Sequence, residues 1–361
     1  MTVYVVLFSL ILIESAIYMN YKQIAPQSAT KAYTLLFCIE LILVAGFRSS
    51  TTGADTQIYL NVFNYYKRLP RGEILFAKLL NVWGNFEAGY FLFLKILAWL
   101  QVNDQLFLII SAAIIYIPVV IFFQKYSPFP NMSFAVYSML GIYAYSMGIM
   151  RQMMALAIFL CSLDFIFEKK FKNYMMVIIL AIFFHSTAIV LLPVYWIVNV
   201  NRKTLLKIAL VGEVIGLVAG RTIILIITRF MPKYARFLGR QYYDTHGGTY
   251  SMLFLLTFVL IITYLIYRNQ NDIEDIDVLS FAMLSVGVVI QAISYSFGIM
   301  GRMIPYFSIF AAIEIPRIIH QVFTPNSKII YLAILEPILF ALNYLVIRSN
   351  EFIVPYYPFW K

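Results

Sequence analysis

The stretch LFLIISAAIIYIPVVIFF, residues 106–123, is an uninterrupted apolar run without one charged side chain. An α-helix rises about 1.5 Å per residue, so such a run is long enough to cross the hydrocarbon core of a bilayer. The whole chain has the same character: of its 361 residues, 62% are hydrophobic and 12% charged, and its mean hydropathy is +0.83. Soluble domains carry about a quarter charged residues. The sequence therefore predicts an all-α polytopic integral membrane protein.

Further apolar runs of about 17 or more residues extend over most of the chain. Two regions are interrupted: 73–100 contains WGNFEAGY and Lys95, and 174–198 contains the HST triplet that starts at His185. Irregular backbone at membrane depth is tolerated where it lines a cavity, so we expect broken or re-entrant segments in both regions and about 10–14 membrane helices in all. The regular runs are 2–19, 32–47, 106–123, 132–148, 153–167, 205–227, 252–267, 278–297, 304–319 and 329–347.

The chain is expected to form one transmembrane domain over residues 1–361, because no internal repeat or linker divides it. External loops at about 48–88 and 230–250 are expected to line a cavity. The first residues, MTVYVVLFSLILIESAIYMN, lack a basic segment and a small-residue cleavage site, so they are expected to remain as the first span. Cys38 and Cys161 both lie in apolar runs, which argues against a disulfide or metal framework.

The orientation of a membrane protein follows the Lys and Arg residues of its short loops. The most basic short connections, 21–31, 168–173 and 201–207, are therefore expected in the cytoplasm. This orientation requires 73–100 and 174–198 each to return to the side from which they enter. It places the charged candidates described next on the external face.

A polar island, GFRSSTTGADTQIYLNVF at 46–63, interrupts the apolar background. Charged groups beside a membrane are costly unless they have partners or a function. Arg48 lies in this island, and Arg151 and Arg302 also lie where an apolar run begins or ends. A guanidinium is a rigid fork suited to phosphate, so three arginines that face one cavity would bind a diphosphate. The alternative is that each one extends separately to the membrane interface.

Two side chains are candidates for a general base. Asp55 follows Gly53 in the polar island, and it is equally suited to cap the helix that follows. His185, in FFHSTA, places an imidazole within an apolar run. It is suited to proton transfer or to donation to a phosphate or sugar oxygen, and the alternative is a histidine that only joins two helices.

Other polar and aromatic side chains are candidates for sugar contacts. The 230–250 loop combines basic and aromatic residues, although an amphipathic interfacial helix would have the same composition. The D-x-D pair Asp275 and Asp277 is expected to lie in a solvated loop, and neither a phosphate loop nor HExxH is present, so no metal or other cofactor is expected. The candidate sugar contacts are Tyr59, Glu87, Gln152, Arg236, Arg240 and Tyr306.

The succession FRSSTTGADTQIYLNVF, NFEAGY, MRQMMA, FFHSTA, GRMIPYF and VPYY resembles the EpsG family of Wzy-type bacterial polysaccharide polymerases, over nearly the whole chain. Ala88 stands where the family pattern E-P-G-Y has proline. The resemblance implies a GT-C-like, metal-independent membrane glycosyltransferase of exopolysaccharide, capsule or O-antigen synthesis. Such an enzyme transfers the growing chain from undecaprenyl diphosphate to a sugar hydroxyl of the next lipid-linked repeat unit. The implied location is the bacterial cytoplasmic membrane, with the active site on the external side.

The resemblance also matches motif residues of the family to positions in this chain. The family's motif arginines correspond to Arg48, Arg151 and Arg302, its loop aspartate to Asp55 and its histidine to His185. Our own hypothesis for the mechanism is that the three arginines bind the diphosphate, with Arg48 helping to neutralise the leaving group, and that Asp55 or His185 accepts the hydroxyl proton. The implied partners are lipid-linked oligosaccharides, membrane lipids, and chain-length regulator and flippase proteins of the same pathway, with no nucleic acid.

A flippase for lipid-linked oligosaccharides is the main alternative, because it would also need a basic cavity and many helices. It would have less need of an Asp or His beside the arginines. An enzyme like an O-antigen ligase would share the chemistry and differ in its acceptor, whereas a membrane acyltransferase usually has an Asp or Asn near its histidine, and none lies within four residues of His185. An ion-coupled carrier would use buried carboxylates such as Glu14, Glu40 and Glu213.

Overall fold

The computed structural model describes residues 2–22, 24–76, 86–230, 235, 238, 250–270, 272–322, 336–348 and 354–360. Most of these residues are helical, and no β-strand occurs among them. An isolated β-bridge joins Arg48 to Pro358. The predicted all-α class is confirmed.

The helices are numbered in chain order, and two 3-10 segments lie between them. They are α1 Thr2–Tyr21, α2 Pro26–Gly46, α3 Thr56–Lys67, α4 Arg71–Ile74, α5 Ala88–Trp99, α6 Asp104–Tyr126, α7 Pro130–Met139, α8 Ile142–Ser146, α9 Met150–Leu160, α10 Leu163–Phe167, α11 Phe171–Phe184, the 3-10 segment Ser186–Leu191, α12 Val194–Ile197, α13 Arg202–Phe230, α14 Tyr250–Tyr267, α15 Asp275–Ser294, the 3-10 segment Gly298–Met303, α16 Ile304–Ser308, α17 Ala311–Val322 and α18 Glu336–Arg348.

Six of the described helices are long and apolar enough to cross a membrane, namely α1, α2, α6, α13, α14 and α15. The pair Gly298–Ser308 and Ala311–Val322 would make a seventh span, bent by 48°. Shorter apolar helices are α5, α9, α11 and Ser186–Ile197. The outer face of α13 is strongly apolar, with Val218 84% exposed, as suits contact with lipid. The prediction of a polytopic membrane protein is confirmed.

Several of the expected runs are broken helices. The run 132–148 divides at Gly141, whose φ of +70° is a left-handed conformation that glycine adopts at no steric cost. The run 153–167 divides between α9 and α10. The region 174–198 is broken at His185, as the HST triplet indicated. Whether these segments are re-entrant stays a prediction.

Contacts divide the chain into two compact units, Met1–Leu192 with Pro325–Lys361, and Pro193–Thr324. The expectation of one transmembrane domain stays a prediction. In the first unit α6 packs against both α2 and α9, α9 packs against α11, and α3 packs against α5. Aromatic rings fill much of this core; the rings of Phe37 and Phe134 stack with centroids 3.9 Å apart.

In the second unit α13 packs along α15, and α15 also contacts α14 and α16. A charged cluster joins α15 to α17. Arg317 lies 2.7 Å from Glu274 and 3.0 Å from Asp277, whose side chain is 4% exposed. The solvated loop expected for the D-x-D pair is therefore wrong at Asp277, because this carboxylate is buried in the first turn of α15 as a partner of arginine.

Candidate active site

Arg151, in the first turn of α9, is surrounded by three aromatic rings that we call the aromatic cage: Tyr59, Phe86 and Tyr90. The guanidinium carbon lies 4.3 Å from the ring centroid of Phe86, 5.8 Å from that of Tyr59 and 5.9 Å from that of Tyr90. The Arg151 side chain is only 16% exposed. Aromatic faces attract a cation more strongly when water is excluded, so the cage holds a positive charge in a setting of low polarity.

Glu87 connects Arg151 to the segment that begins at Ser186. Its Oε2 accepts a hydrogen bond from Arg151 Nη1 at 2.6 Å, and its Oε1 accepts one from the backbone N–H of Ser186 at 2.9 Å. Burial alone would raise the pKa of Glu87. The charge of Arg151, together with the Ser186 N–H, outweighs burial and holds the pKa of Glu87 below its usual range. Glu87 is therefore an ionised counter-ion of the caged arginine.

Close packing of α5 against the end of α11 brings Glu87 to this position. Gly89 lies in the first turn of α5, and a Cβ added to it would lie 2.8 Å from the carbonyl oxygen of Phe183. Contacts this short with backbone are not tolerated without movement. The glycine of NFEAGY therefore allows the approach that places Glu87 beside Ser186.

Substitution of Gly89 by alanine is expected to destabilise the protein, by about 1–3 kcal/mol, because the new methyl group overpacks the contact with Phe183. Thermal unfolding of the purified protein in detergent measures the effect. Gly72→Ala is the matched control, since a Cβ at Gly72 meets nothing within 4 Å. Equal unfolding temperatures for the two variants would contradict the role assigned to Gly89.

His185 lies between α11 and the 3-10 segment Ser186–Leu191, with extended backbone at φ −154°. Its Nδ1 lies 2.6 Å from Thr187 Oγ1 and accepts from the backbone N–H of Thr187 at 3.3 Å. A backbone N–H can only donate, so Nδ1 is unprotonated in the neutral ring and the proton is on Nε2. In this tautomer Nε2 is a hydrogen-bond donor.

Asp55 occupies the N-cap position of α3, but its side chain makes no capping hydrogen bond. Its Oδ2 instead accepts from the hydroxyl of Tyr59 at 3.4 Å. Tyr59 is a member of the aromatic cage, so Asp55 is linked through one residue to Arg151. Asp55 therefore occupies the N-cap position expected from the sequence, but its carboxylate does not cap the helix.

Arg48 is 2% exposed and its guanidinium donates to backbone carbonyls. Nε donates to Thr52 O at 3.2 Å, Nη2 to Met147 O at 3.2 Å, and Nη1 to Ala45 O. These bonds connect the end of α2, the loop before α3 and the turn that leads into α9. Arg48 thus fixes the backbone immediately before Arg151, and its donors are engaged by the protein itself.

The EpsG family profile matches residues 31–358, nearly the whole chain. The chain belongs to the EpsG family. This is a family of Wzy-type polysaccharide polymerases, so the protein is a multi-pass membrane protein of polysaccharide biosynthesis, of the glycosyltransferase-type polymerase class. The resemblance found in the sequence is confirmed. The comparison with curated proteins and the comparison with solved structures each find no match.

The matched EpsG region contains Asp55, Tyr59, Glu87, Arg151 and His185, which the fold brings together in the first unit. They form one connected network: Asp55 contacts Tyr59, Tyr59 lies beside Arg151, Arg151 pairs with Glu87, and Glu87 bonds the turn that follows His185. The sequence had indicated each of these five side chains separately. The roles assigned to them stay predictions.

The remaining residues predicted to bind substrate in this EpsG protein are buried, belong to the second unit or lie outside the described residues. Gln152, next to Arg151 on α9, is 1% exposed. Arg302, in the 3-10 segment Gly298–Met303, and Tyr306, in α16 and fully buried, belong to the second unit. Arg236 and Arg240 lie outside the described residues. Within the described ranges, no group of three His, Cys, Asp or Glu side chains is placed to hold a metal ion.

Several residues of the EpsG site are not predicted from the sequence. Phe86 and Tyr90 flank Glu87 in NFEAGY, one residue before and three after it, and this aromatic spacing around a carboxylate was the available signal. Ser186 and Thr187 act through their backbone N–H groups, which a sequence does not single out.

Proposed function

We propose that the protein elongates a polysaccharide by transferring the growing glycan from undecaprenyl diphosphate to a sugar hydroxyl of the next lipid-linked repeat unit. The proposed location is the external side of the bacterial cytoplasmic membrane, and the proposal needs no metal. The observation that supports it is the caged Arg151, with Glu87, Asp55 and His185 in the same network. A fixed positive charge shielded from water stabilises a departing diphosphate more strongly than one in solvent.

Arg151 is the proposed ligand of the diphosphate. Its Nη1 is paired with Glu87, and its Nε is buried without a hydrogen-bond acceptor among the described residues. A buried donor left without an acceptor is costly, and a phosphate oxygen would satisfy it. The assignment of Arg302 to the diphosphate stays a prediction from the sequence. Arg48, with its donors on carbonyl groups, assists the leaving group indirectly by fixing the turn before Arg151.

In the proposed transfer step the acceptor hydroxyl oxygen forms a bond to the anomeric carbon of the donor glycan. The bond from this carbon to the diphosphate oxygen breaks, and its electron pair leaves with undecaprenyl diphosphate. Asp55 accepts the hydroxyl proton, since its carboxylate is not engaged in capping α3. His185, with its proton on Nε2, donates a hydrogen bond to a phosphate or sugar oxygen.

The test is a reconstitution of the purified protein with lipid-linked repeat units of its own pathway, in EDTA and without nucleotide sugar. A ladder of longer glycans is expected on a gel, and Arg151→Ala should abolish it. The control Arg268→Ala changes an exposed arginine at the end of α14 and should retain the ladder. Unextended substrate with the unaltered protein, or a ladder that requires a divalent metal, would contradict the proposal.

A further inference from the structure

Residues 354–360, VPYYPFW, lie against the loop that follows α2, and we call them the aromatic strap. Their contact is a backbone pairing of strand type. The N–H of Ser49 donates to the carbonyl of Tyr357 at 2.7 Å, and the N–H of Phe359 donates to the carbonyl of Phe47 at 3.0 Å. Two parts of the chain separated by about three hundred residues are thus joined through backbone groups, whose N–H donors only a substitution by proline removes.

Side chains reinforce the pairing. Thr52 Oγ1 accepts from the N–H of Tyr357 at 3.2 Å. The hydroxyl of Tyr356 donates to the carbonyl of Val44 at 2.8 Å, and its ring meets that of Tyr4 edge to face at 5.9 Å. The strap is therefore anchored to α1, to α2 and to the loop before α3.

That loop carries Arg48 and Asp55, and Asp55 does not cap α3 through its side chain. Its internal hydrogen bonds are short-range turns, from the N–H of Thr52 to the carbonyl of Ser49 and from the N–H of Thr56 to the carbonyl of Gly53. The long-range contacts that hold the loop in place come from the strap and from the Arg48 guanidinium. We propose that the aromatic strap is a positioning element of the transfer reaction, which sets the loop so that Asp55 meets the acceptor beside Arg151. This inference rests on the proposed function, and the experiment below separates the two.

An interfacial anchor is the competing explanation for the strap. Tyr357, Phe359 and Trp360 are 44%, 46% and 69% exposed, and such rings are favoured at the membrane–water interface. The two explanations depend on different atoms. A positioning element needs the backbone N–H groups, whereas an anchor needs the rings.

Two substitutions at one residue separate them. Phe359→Pro removes the N–H that donates to Phe47, and Phe359→Ala removes the ring and keeps the N–H. We expect Phe359→Pro to lower kcat for chain extension about tenfold to a hundredfold with little change in KM, because small displacements of reacting groups have effects of this size. Thr52→Val, which deletes the hydroxyl bonded to Tyr357, should act in the same direction. Phe359→Ala should remain close to the unaltered protein.

A spin label on the exposed Thr51→Cys, with Cys38 and Cys161 replaced by serine, reports on the loop without any assay of activity. In Phe359→Pro and Thr52→Val the spectrum should show a mobile label, and in Phe359→Ala it should show an immobile label. An immobile loop in Phe359→Pro would overturn the inference, and so would a mobile loop with normal kcat, or equal loss of kcat in Phe359→Ala. If the unaltered protein extends no lipid-linked glycan, the proposed function fails, while the spectra still decide whether the strap orders the loop.

Discussion

Arg151→Lys is expected to lower the rate of chain extension about a hundredfold or more, the size of effect seen when one preorganised donor is removed from an active site. Lysine keeps the positive charge and loses the planar fork, whose Nη1 pairs with Glu87 while the guanidinium faces the aromatic cage. The measurement is the initial rate of ladder formation in proteoliposomes, at a concentration of lipid-linked repeat units that saturates the unaltered protein.

A second pair of variants distinguishes diphosphate binding from a purely structural ion pair. Arg151→Met leaves Glu87 buried without its cation, and adding Glu87→Gln removes the unpaired charge. If Arg151 serves only to neutralise Glu87, the double variant should recover activity. If Arg151 binds the diphosphate, the double variant should recover stability in thermal unfolding and remain inactive. Near-normal activity in Arg151→Lys would itself argue against two-point binding of the diphosphate.

The apolar runs predict the membrane class and most of the long spans, because hydropathy measures how readily a segment enters the hydrocarbon core of a bilayer. They do not predict where a run breaks. The run 153–167 is apolar enough for one helix, yet it divides between α9 and α10, since the path of the backbone depends on packing against neighbouring helices. The break at His185 is an exception because a polar triplet marks it in the sequence.

The charged members of the site are predictable for the same reason that they are costly: an Asp, His or Arg beside an apolar run needs a partner. The aromatic cage is only partly predictable. Tyr59 is a candidate from the sequence, whereas among 31 Phe and 27 Tyr residues the spacing around Glu87 is the one feature that marks Phe86 and Tyr90. The sequence also does not show which groups a charged side chain contacts. Arg48 and Arg151 look alike in the sequence, and only the fold shows that the first donates to carbonyls and the second pairs with Glu87.

Asp55→Asn is expected to lower kcat for chain extension between about a hundredfold and ten-thousandfold, the range contributed by a positioned general base. Asparagine has the shape of aspartate and can still accept from the Tyr59 hydroxyl, but it cannot take a proton from the acceptor sugar. Binding of the donor lipid should change little, so KM should stay near that of the unaltered protein. Single-turnover extension of one repeat unit by another measures the transfer step directly.

His185→Gln is the matched comparison, because glutamine keeps an N–H donor and loses the ability to act as a base. Since Nδ1 of His185 accepts from Thr187 and its proton is on Nε2, this variant should retain far more activity than Asp55→Asn. The opposite order would assign the base to His185. Formate offers a further check, because a small carboxylate added to Asp55→Ala can replace the missing base. Partial recovery of extension there, with none in Arg151→Lys, would locate proton transfer at Asp55 and charge stabilisation at Arg151.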